Sequence, residues 1–539
     1  MTAPARAADD SGAALNALVK ARLAEDAGEP AAALSALTAL ASHAPDLPGL
    51  RARMLDQAIE AGDLAAARSA AMQLWEAGDR RFDAQLVLLV DAMRRSDWKA
   101  AREYLPGRGD KTGGDAVSRL IQPTFDGWID VGAREKAPER HLLAAGGGRG
   151  RPEPAMLLEA ALVQLAARRP AEAAALADST MLSDRTSQLV ALRLAATLDK
   201  AGETASAEGL RRRIALAAGN REDPLLLLPD QPLSTPRAGV AHWLGLIADG
   251  LARTPNGNPK VPLLFARAAH WLNEDDWTVR ASLVEALDRN GQPKAAMALL
   301  ADGGTMPPVL EMRRAELMAD AGDLPGAVTR AEAASAAAPD ARSLIVRFAD
   351  LARRSDDKDA AGRAYLRLEE ALGDSEEDWT LHGTLLIARA ELLLQDDRWS
   401  DAEPLLAKAV ALRPEDPAVL NFVGYSALER RKDIAASLAR IEAAWKREPQ
   451  SPSITDSLGW AYFLVGRTDE AVLLLEKAQR GEPGNAVIVE HLGDAYWQAG
   501  RKFQARYVWR AAALLAEADM ATRIEAKLRD GLTPATTAP

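Results

Sequence analysis

The 539-residue chain contains no cysteine, and this absence excludes several kinds of site at once. Without a thiol there is no disulfide, no cysteine nucleophile, no cysteine-ligated zinc and no acylated cysteine of the lipoprotein type. The compartment stays open, because a cysteine-free chain is compatible with both reducing and oxidising surroundings.

Other residues that mark active sites are also scarce. Aromatic residues make up 5% of the chain, and only six histidines are present. No two histidines stand at the spacing of metal ligands, and there is no H-E-x-x-H motif. We therefore predict no catalytic, cofactor-binding or metal-binding residue, and no cofactor.

Long apolar runs and an excess of basic residues are missing as well. No apolar stretch approaches the roughly 18 residues of a membrane-spanning helix, so we predict no transmembrane segment. The formal net charge is −11, with 66 lysines and arginines against 77 acidic residues. A nucleic-acid backbone binds clustered cations, so this balance argues against a nucleic-acid partner.

Two glycine-rich stretches resemble phosphate-binding loops but lack what such loops require. In Gly107–Thr112, Asp110 precedes the lysine where a P-loop has glycine, and its charge would repel phosphate. The run Gly146–Gly150 follows a helical pattern, whereas a dinucleotide-binding loop follows a strand. We interpret both stretches as loops without a ligand.

What the chain does contain is a repeat. Leu458-Gly459-Trp460-Ala461-Tyr462 recurs 34 residues later as Leu492-Gly493-Asp494-Ala495-Tyr496. Further on in each unit stand a small residue and, in most units, a proline. The small residues are Ala402, Ser437, Ala471 and Ala505, and the prolines are Pro414, Pro449 and Pro483. A period in this range is typical of stacked helical repeats.

Each unit is predicted to be a pair of helices. Leu458, Tyr462 and Val465 lie on one face of a first helix, which Gly466 ends because glycine tolerates the left-handed conformation. The second helix ends before Pro483, since proline disfavours helix in the residue before it. The small residues, such as Gly459, lie where the two helices of a unit approach closely.

This pattern resembles the tetratricopeptide repeat (TPR) family, closely over 418–515 and loosely across most of 13–370. The resemblance implies an all-α fold, an α-solenoid forming a right-handed superhelix of about 11–14 helix-turn-helix units. The concave face of such a superhelix usually binds peptides or protein partners. We therefore expect a protein or peptide partner, and leave the oligomeric state open.

The period and its interruptions divide the chain. The predicted segments are 1–10, a disordered terminus; 11–105, regular TPR units; 106–154, an irregular helical insertion; 155–217, TPR units; 218–290, a proline-punctuated crossover with degenerate helical units; 291–370, TPR units; 371–518, a well-formed TPR array; 519–532, a capping helix; and 533–539, a disordered tail.

The register of the family points to a binding strip on the first helices of the last three repeats. Carried over by position, its residues are Asn421, Tyr425, Leu428, Asp456, Trp460, Phe463, Glu490, Asp494 and Trp497. Aromatic residues are typical binding anchors. The alternative is that Trp460 or Trp497 packs between repeats. Relatives that clamp a terminal carboxylate use lysine, asparagine and arginine here, so we do not expect that ligand.

Two functions are compatible with these features of the sequence. The favoured one is a non-enzymatic protein-binding scaffold or adaptor, because the C-terminal 120 residues or so resemble long bacterial TPR proteins that serve cell-envelope enzymes. The alternative is an enzyme or regulator with a cryptic catalytic unit in 106–154 or 218–290. The location depends on Met1–Ala8. If this stretch is the end of an export signal, the protein is periplasmic; if it is an ordinary frayed terminus, the protein is cytoplasmic.

Overall fold

The computed structural model describes residues 3–106, 116–145, 152–218, 223–301, 306–373 and 375–539, without the side chains of 3–11, 116–120 and 518. These residues form 29 α-helices and one short 3-10 helix, with no strand among them. The all-α prediction is confirmed. The glycine-rich stretches Gly107–Thr112 and Gly146–Gly150 lie outside the described residues.

The chain divides into two compact units, Met1–Ser355 and Asp356–Pro539. The helices of the first unit are α1 (Ala3–Asp26), α2 (Pro30–His43), α3 (Leu50–Ala61), α4 (Leu64–Glu76), α5 (Phe82–Arg94), α6 (Trp98–Tyr104), α7 (Ala116–Gly132), α8 (Arg140–Leu143), α9 (Pro154–Ala166), α10 (Pro170–Ser179), α11 (Arg185–Ala201), α12 (Thr204–Ala218), the 3-10 helix (Pro224–Leu227), α13 (Pro236–Ala252), α14 (Lys260–Leu272), α15 (Trp277–Arg289), α16 (Pro293–Leu299), α17 (Pro308–Asp320), α18 (Leu324–Ala337) and α19 (Arg342–Arg354).

The helices of the second unit are α20 (Lys358–Glu370), α21 (Glu376–Gln395), α22 (Trp399–Leu412), α23 (Pro417–Glu429), α24 (Ile434–Arg447), α25 (Pro452–Leu464), α26 (Thr468–Gly481), α27 (Ala486–Gln498), α28 (Lys502–Leu515) and α29 (Ala518–Asp530). From α21 to α28 they pack as consecutive pairs, each first helix against the second helix that follows it. The three prolines of the repeat each lie within two residues after the end of a second helix.

Small residues form the contact inside each pair, as the repeat predicts. A Cβ added to Gly459 would lie 2.8 Å from Cγ of Leu475, and one added to Gly424 would lie 2.8 Å from Cγ1 of Ile441. The Cβ of a residue at 493 would overlap the ring of Trp509. Glycine is therefore required on these first helices because the partner helix leaves no room for a side chain.

The first unit contains a contact that a simple repeat does not predict. Helix α14 packs against α3 and α5, which are about 200 residues earlier in the chain. Arg267 donates a hydrogen bond to the carbonyl of Glu60 over 3.0 Å, and Trp271 Nε1 donates to the carbonyl of Gly62 over 3.2 Å. Helix α14, which lies in the stretch 218–290 predicted as a crossover with degenerate units, thus packs against the N-terminal helices of this unit.

The structure describes local structure in both terminal stretches. Helix α1 begins at Ala3, within the stretch 1–10 for which we expected disorder, and its alanine-rich sequence favours helix. Residues 533–539, predicted as a loose tail, contain a hydrogen-bonded turn and include a buried residue, Ala538. The predicted capping helix is present as α29.

Candidate functional site

The nine residues predicted to bind a partner lie on three first helices of the second unit. Asn421, Tyr425 and Leu428 are on α23; Asp456, Trp460 and Phe463 are on α25; and Glu490, Asp494 and Trp497 are on α27. We call the surface formed by these nine residues the α23–α25–α27 face. Helix α25 packs against both α23 and α27, so the three helices are neighbours.

Most of this face is covered in the structure. Leu428, Trp460 and Asp494 are 0% exposed. Asp456, Phe463 and Glu490 are also buried, whereas Asn421, Tyr425 and Trp497 are half-buried. The role of these residues in binding stays a prediction.

Part of the cover is helix α29, and the other part is the C-terminal segment 531–539 that follows it. The methyl group of Ala538 is 0% exposed and belongs to the apolar cluster that contains Leu428, Trp460 and Phe463. The N–H of Ala538 donates to Oδ2 of Asp494 over 3.0 Å. Nη2 of Arg431 donates to the carbonyl of Ala538 over 3.2 Å. Two side chains therefore satisfy both backbone groups of one residue.

The segment reaches the face through a glycine and a turn. Gly531 has φ +85°, and a Cβ at this position would overlap the ring of Trp497, so only glycine fits as the chain leaves α29. Thr536 and Thr537 then donate their N–H groups to the carbonyl of Thr533 over 3.0 and 2.9 Å. Pro534 occupies the second position of this turn, where its fixed φ is favourable. The turn places Ala538 against the α23–α25–α27 face.

Beneath the segment lies a buried network of charges. Nζ of Lys527, on α29, donates to Glu490 over 2.6 Å and to Asp494 over 2.7 Å, and all three side chains are at most 1% exposed. Arg523 adds two hydrogen bonds to Glu490 over 2.8 and 2.9 Å. Helix α29 therefore supplies two cations to two carboxylates of α27, and the latter are two of the predicted site residues.

The two carboxylates respond differently to this network. Burial raises the pKa of Asp494 above its ordinary value, although the charge of Lys527 and the N–H of Ala538 oppose the shift. Burial acts in the same direction on Glu490, but the hydrogen bonds from Arg523 and the charge of Lys527 outweigh it and lower the pKa of Glu490. The network therefore stabilises the charged form of Glu490, whereas burial disfavours the charged form of Asp494.

A second buried cluster lies around Trp460. Its ring stacks on the imidazole of His491, with 4.1 Å between centroids, and on the ring of Phe463, with 4.6 Å. Nδ1 of His491 lies 3.0 Å from both carboxylate oxygens of Asp456. Trp460 thus packs between repeats, which is the alternative that the sequence left open, and Asp456 fixes the histidine against it.

Sequence reasoning missed the residues that hold the segment. Arg431 lies in the turn after α23, outside the repeat register, and Arg523, Lys527 and Ala538 lie beyond the last full repeat. One signal was available: Arg523 and Lys527 are four residues apart, so they share a helix face. The Thr533-Pro534 pair was a second, because proline marks a turn.

Within the described ranges, no group of three or more histidine and acidic side chains could hold a metal ion. In the same part of the chain, none of the helices has both the length and the apolar character needed to cross a bilayer.

Comparison with known proteins supports the repeat. No protein-family model matches the chain. A curated TPR repeat-containing protein of Pseudomonas aeruginosa is 26% identical over 162 residues, which cover 30% of this chain and 26% of the relative. The match therefore spans about a quarter of that relative's length.

Solved structures show a distant similarity to this chain. Yeast Tom70 is 15% identical, with 97% of this chain and 98% of that chain covered at a TM-score of 0.32. A tetratricopeptide repeat protein from Parabacteroides merdae is 14% identical, with 46% and 96% covered at a TM-score of 0.36. The 34-residue period and the paired helices with small residues between them agree with the similarity of this chain to a curated tetratricopeptide repeat protein.

Proposed function

We propose that the chain is a non-enzymatic binding scaffold or adaptor, which holds an extended segment of a protein or peptide partner on the α23–α25–α27 face. One observation carries this proposal. The face already holds a non-helical stretch of chain, with the N–H of Ala538 bonded to Asp494 and its carbonyl bonded to Arg431. An arrangement that binds one such segment is suited to bind another.

The chemistry of the face favours backbone recognition. Asp494 accepts from an N–H and Arg431 donates to a C=O, so the two side chains contact groups that every non-proline residue carries. The hydrogen bond to Asp494 is buried, which strengthens it, whereas Arg431 is exposed and its bond to the carbonyl of Ala538 is only partly buried. Affinity would therefore come from the backbone, and selectivity from the side chains that fit beside it.

The nine predicted residues have different parts in this proposal. Asn421, Tyr425 and Trp497 are half-buried and form the edge that a partner reaches first. The buried apolar members are the floor beneath the bound segment. Asp494 binds the backbone, while the other two carboxylates act indirectly, because Asp456 bonds His491 and Glu490 bonds Arg523 and Lys527.

The alternative, a catalytic unit in 106–154 or 218–290, has less support. Catalysis by a histidine base requires a nucleophile within hydrogen-bond reach. His242 on α13 is buried, and neither ring nitrogen has a hydrogen-bond partner among the described residues. Burial, aided by the charge of Arg193, holds the pKa of His242 well below its ordinary value, so the ring is neutral. We interpret it as a packed core residue.

A role at the cell envelope is a further part of the proposal. It is supported by the resemblance of the C-terminal repeats to exported bacterial adaptors and by Ala5-Arg6-Ala7-Ala8 near the start. The test is fractionation of cells that express the natural gene, followed by detection with an antibody. Recovery with periplasmic or membrane material supports the role, and recovery in the cytoplasm alone contradicts it.

The binding function is tested with a library of extended nonapeptides. Binding is measured on the full-length chain, on full-length Ala538→Arg, in which a large cation cannot occupy the buried site, and on the same variant with Arg431→Ala added. We expect peptides that bind at least one of the first two chains and lose affinity when Arg431 is removed. If no peptide binds any of the three folded chains, the proposed function is wrong.

A further inference from the structure

The segment 531–539 shows how the α23–α25–α27 face can hold a stretch of chain, and it also occupies the place that a partner segment would need. We infer that it is an internal ligand, which closes the α23–α25–α27 face and must be displaced before a partner segment can bind. This inference rests on the proposed function, because it assigns a competitor to the same site.

The contacts of the segment suit a competitor better than a fixed part of the core. Among the described residues, two hydrogen bonds tie residues 533–539 to the rest of the second unit, and both use the backbone of Ala538. The other hydrogen bonds of these residues lie inside the segment, between Thr533, Thr536 and Thr537. Since the turn supports itself, the segment can leave the face without giving up its own structure.

The face would lose little by exchanging one segment for another. Asp494 and Arg431 bond only to backbone groups of Ala538 within the segment, and any partner residue other than proline can replace these groups. Lys527, which neutralises Asp494, belongs to α29 and stays in place when the segment leaves. The face is therefore complete without residues 533–539.

The site that the Ala538 side chain occupies also limits which residue a partner can place in it. The Cβ of Ala538 is enclosed, whereas the neighbouring Pro539 and the earlier Pro534 and Ala535 are exposed. Size therefore selects the residue at the position of Ala538, but not the residues at positions 534, 535 and 539. The fitting partner is thus a non-helical segment that has alanine, or another residue as small, at this position.

Closure by an internal ligand has a measurable consequence. A partner binds only the open fraction of molecules, so its apparent dissociation constant is the intrinsic one divided by that fraction. A chain in which the segment 531–539 cannot occupy the face should bind an added peptide more tightly by the same factor. A face that is open one tenth of the time predicts a change of about tenfold.

The experiment uses three full-length chains and a fluorescent peptide with the sequence of residues 531–539. The chains are the natural sequence, Ala538→Arg, and Ala535→Arg as the matched control, since it places the same side chain at an exposed position of the same segment. Binding is measured by fluorescence anisotropy. We expect Ala538→Arg to bind the peptide about tenfold more tightly or better than the other two chains.

Equal affinity for all three chains would overturn the inference, as would no binding to Ala538→Arg. A second measurement guards against a misfolded variant. In it, a protease site inserted directly after Asp530 is cut once the chain has folded, so that the segment is free to leave. Cleavage should raise the affinity for the peptide by a similar factor, and no rise would contradict closure.

These outcomes separate the inference from the proposed function. If library peptides bind the natural chain and Ala538→Arg equally, the scaffold stands and the internal ligand is rejected. If the 531–539 peptide binds after cleavage but no library peptide binds any chain, the internal ligand stands and the scaffold function is rejected.

Discussion

Ala538 and Asp494 are 44 residues apart in the sequence, yet the amide of the first donates a hydrogen bond to the carboxylate of the second over 3.0 Å. The same carboxylate accepts from the buried ammonium of Lys527 and from Nε1 of Trp509. Asp494 thus joins the α23–α25–α27 face, the capping helix and the C-terminal segment, and its partners decide the stability of this end of the unit.

Loss of the buried cation should destabilise the second unit strongly. Lys527→Met keeps the apolar stem but leaves Asp494 without a charged partner, and removing one member of a buried ion pair costs about 3–5 kcal/mol. Urea unfolding of the second unit, followed by circular dichroism, measures the loss. Adding Asp494→Asn to the variant should recover part of it, because the unpaired charge is then gone. A double variant no more stable than Lys527→Met would contradict this account.

The helix contact at Gly459 should not tolerate a large side chain. Gly459→Leu forces a side chain into space occupied by Leu475, and overpacking of this kind costs about 1–3 kcal/mol. The matched control is Gly362→Leu on α20, where an added Cβ meets nothing within 4 Å. The control should keep or raise the melting temperature, since leucine favours helix over glycine. Equal melting temperatures for the two variants would show that the repeat register is wrong.

Trp460 should prove to be a structural residue as well as a floor for the bound segment. Trp460→Ala removes a fully buried ring that stacks on His491 and Phe463, so we expect a loss of about 3–5 kcal/mol. Trp379→Ala is the control, because Trp379 is 53% exposed. It should change the free energy of unfolding little. For this reason Trp460→Ala alone is a poor probe of binding, and a stable Trp460→Ala variant would contradict the observed packing.

The stability of the first unit should depend on pH through Glu159. This side chain is 0% exposed, with Nε1 of Trp128 donating to it over 2.7 Å, and burial raises its pKa to about 8 from an ordinary 4.5. Between these two values the folded state binds the proton and the unfolded state does not. The contribution is therefore complete below pH 4.5 and decreases as the pH rises to 8.

Replacement of this carboxyl should remove that dependence. Glu159→Gln retains an acceptor for Trp128 and does not titrate, so the variant should exceed the natural chain in stability at about pH 8.5, by on the order of 3 kcal/mol, and match it near pH 4.5. Urea midpoints of the first unit at both pH values provide the measurement. Glu153→Gln, at an exposed site in the same region, is the control. A natural chain that is equally stable at the two values would refute the role of Glu159.

The repeat itself was accessible from the sequence because its cause is local. Glycine at 424, 459 and 493 and alanine at 471 and 505 are required by contacts between adjacent helices, so they recur at a fixed spacing. The ends of the first helices could be predicted for the same reason. Gly466 and Gly500 adopt the left-handed conformation that glycine tolerates, with φ of +79°. Both signals arise within one repeat and need no knowledge of the rest of the chain.

The sequence did not predict that the candidate site is covered, because the residues that cover it lie outside the repeat. The register correctly placed Leu428, Trp460 and Asp494 on the first helices, but their burial results from α29 and from residues 531–539. The last segment is short, with alanine, threonine and proline, and such a composition predicts a loose tail. The segment is held by a single buried methyl group and two backbone hydrogen bonds, and such contacts produce no repeating pattern in the sequence. The return of α14 to α3 is a similar long-range contact.

Hydrogen exchange at the Ala538 amide tests the central claim most directly. Measurement by mass spectrometry on fragments that cover residues 531–539 of the natural full-length chain requires no substitution. Because the Ala538 amide is buried and bonded to Asp494, we predict that it exchanges slowly in the natural chain. In Ala538→Arg, we predict that the amide at position 538 exchanges fast. Exchange of the Ala538 amide in the natural chain at the rate of an unfolded peptide would show that the segment does not occupy the α23–α25–α27 face.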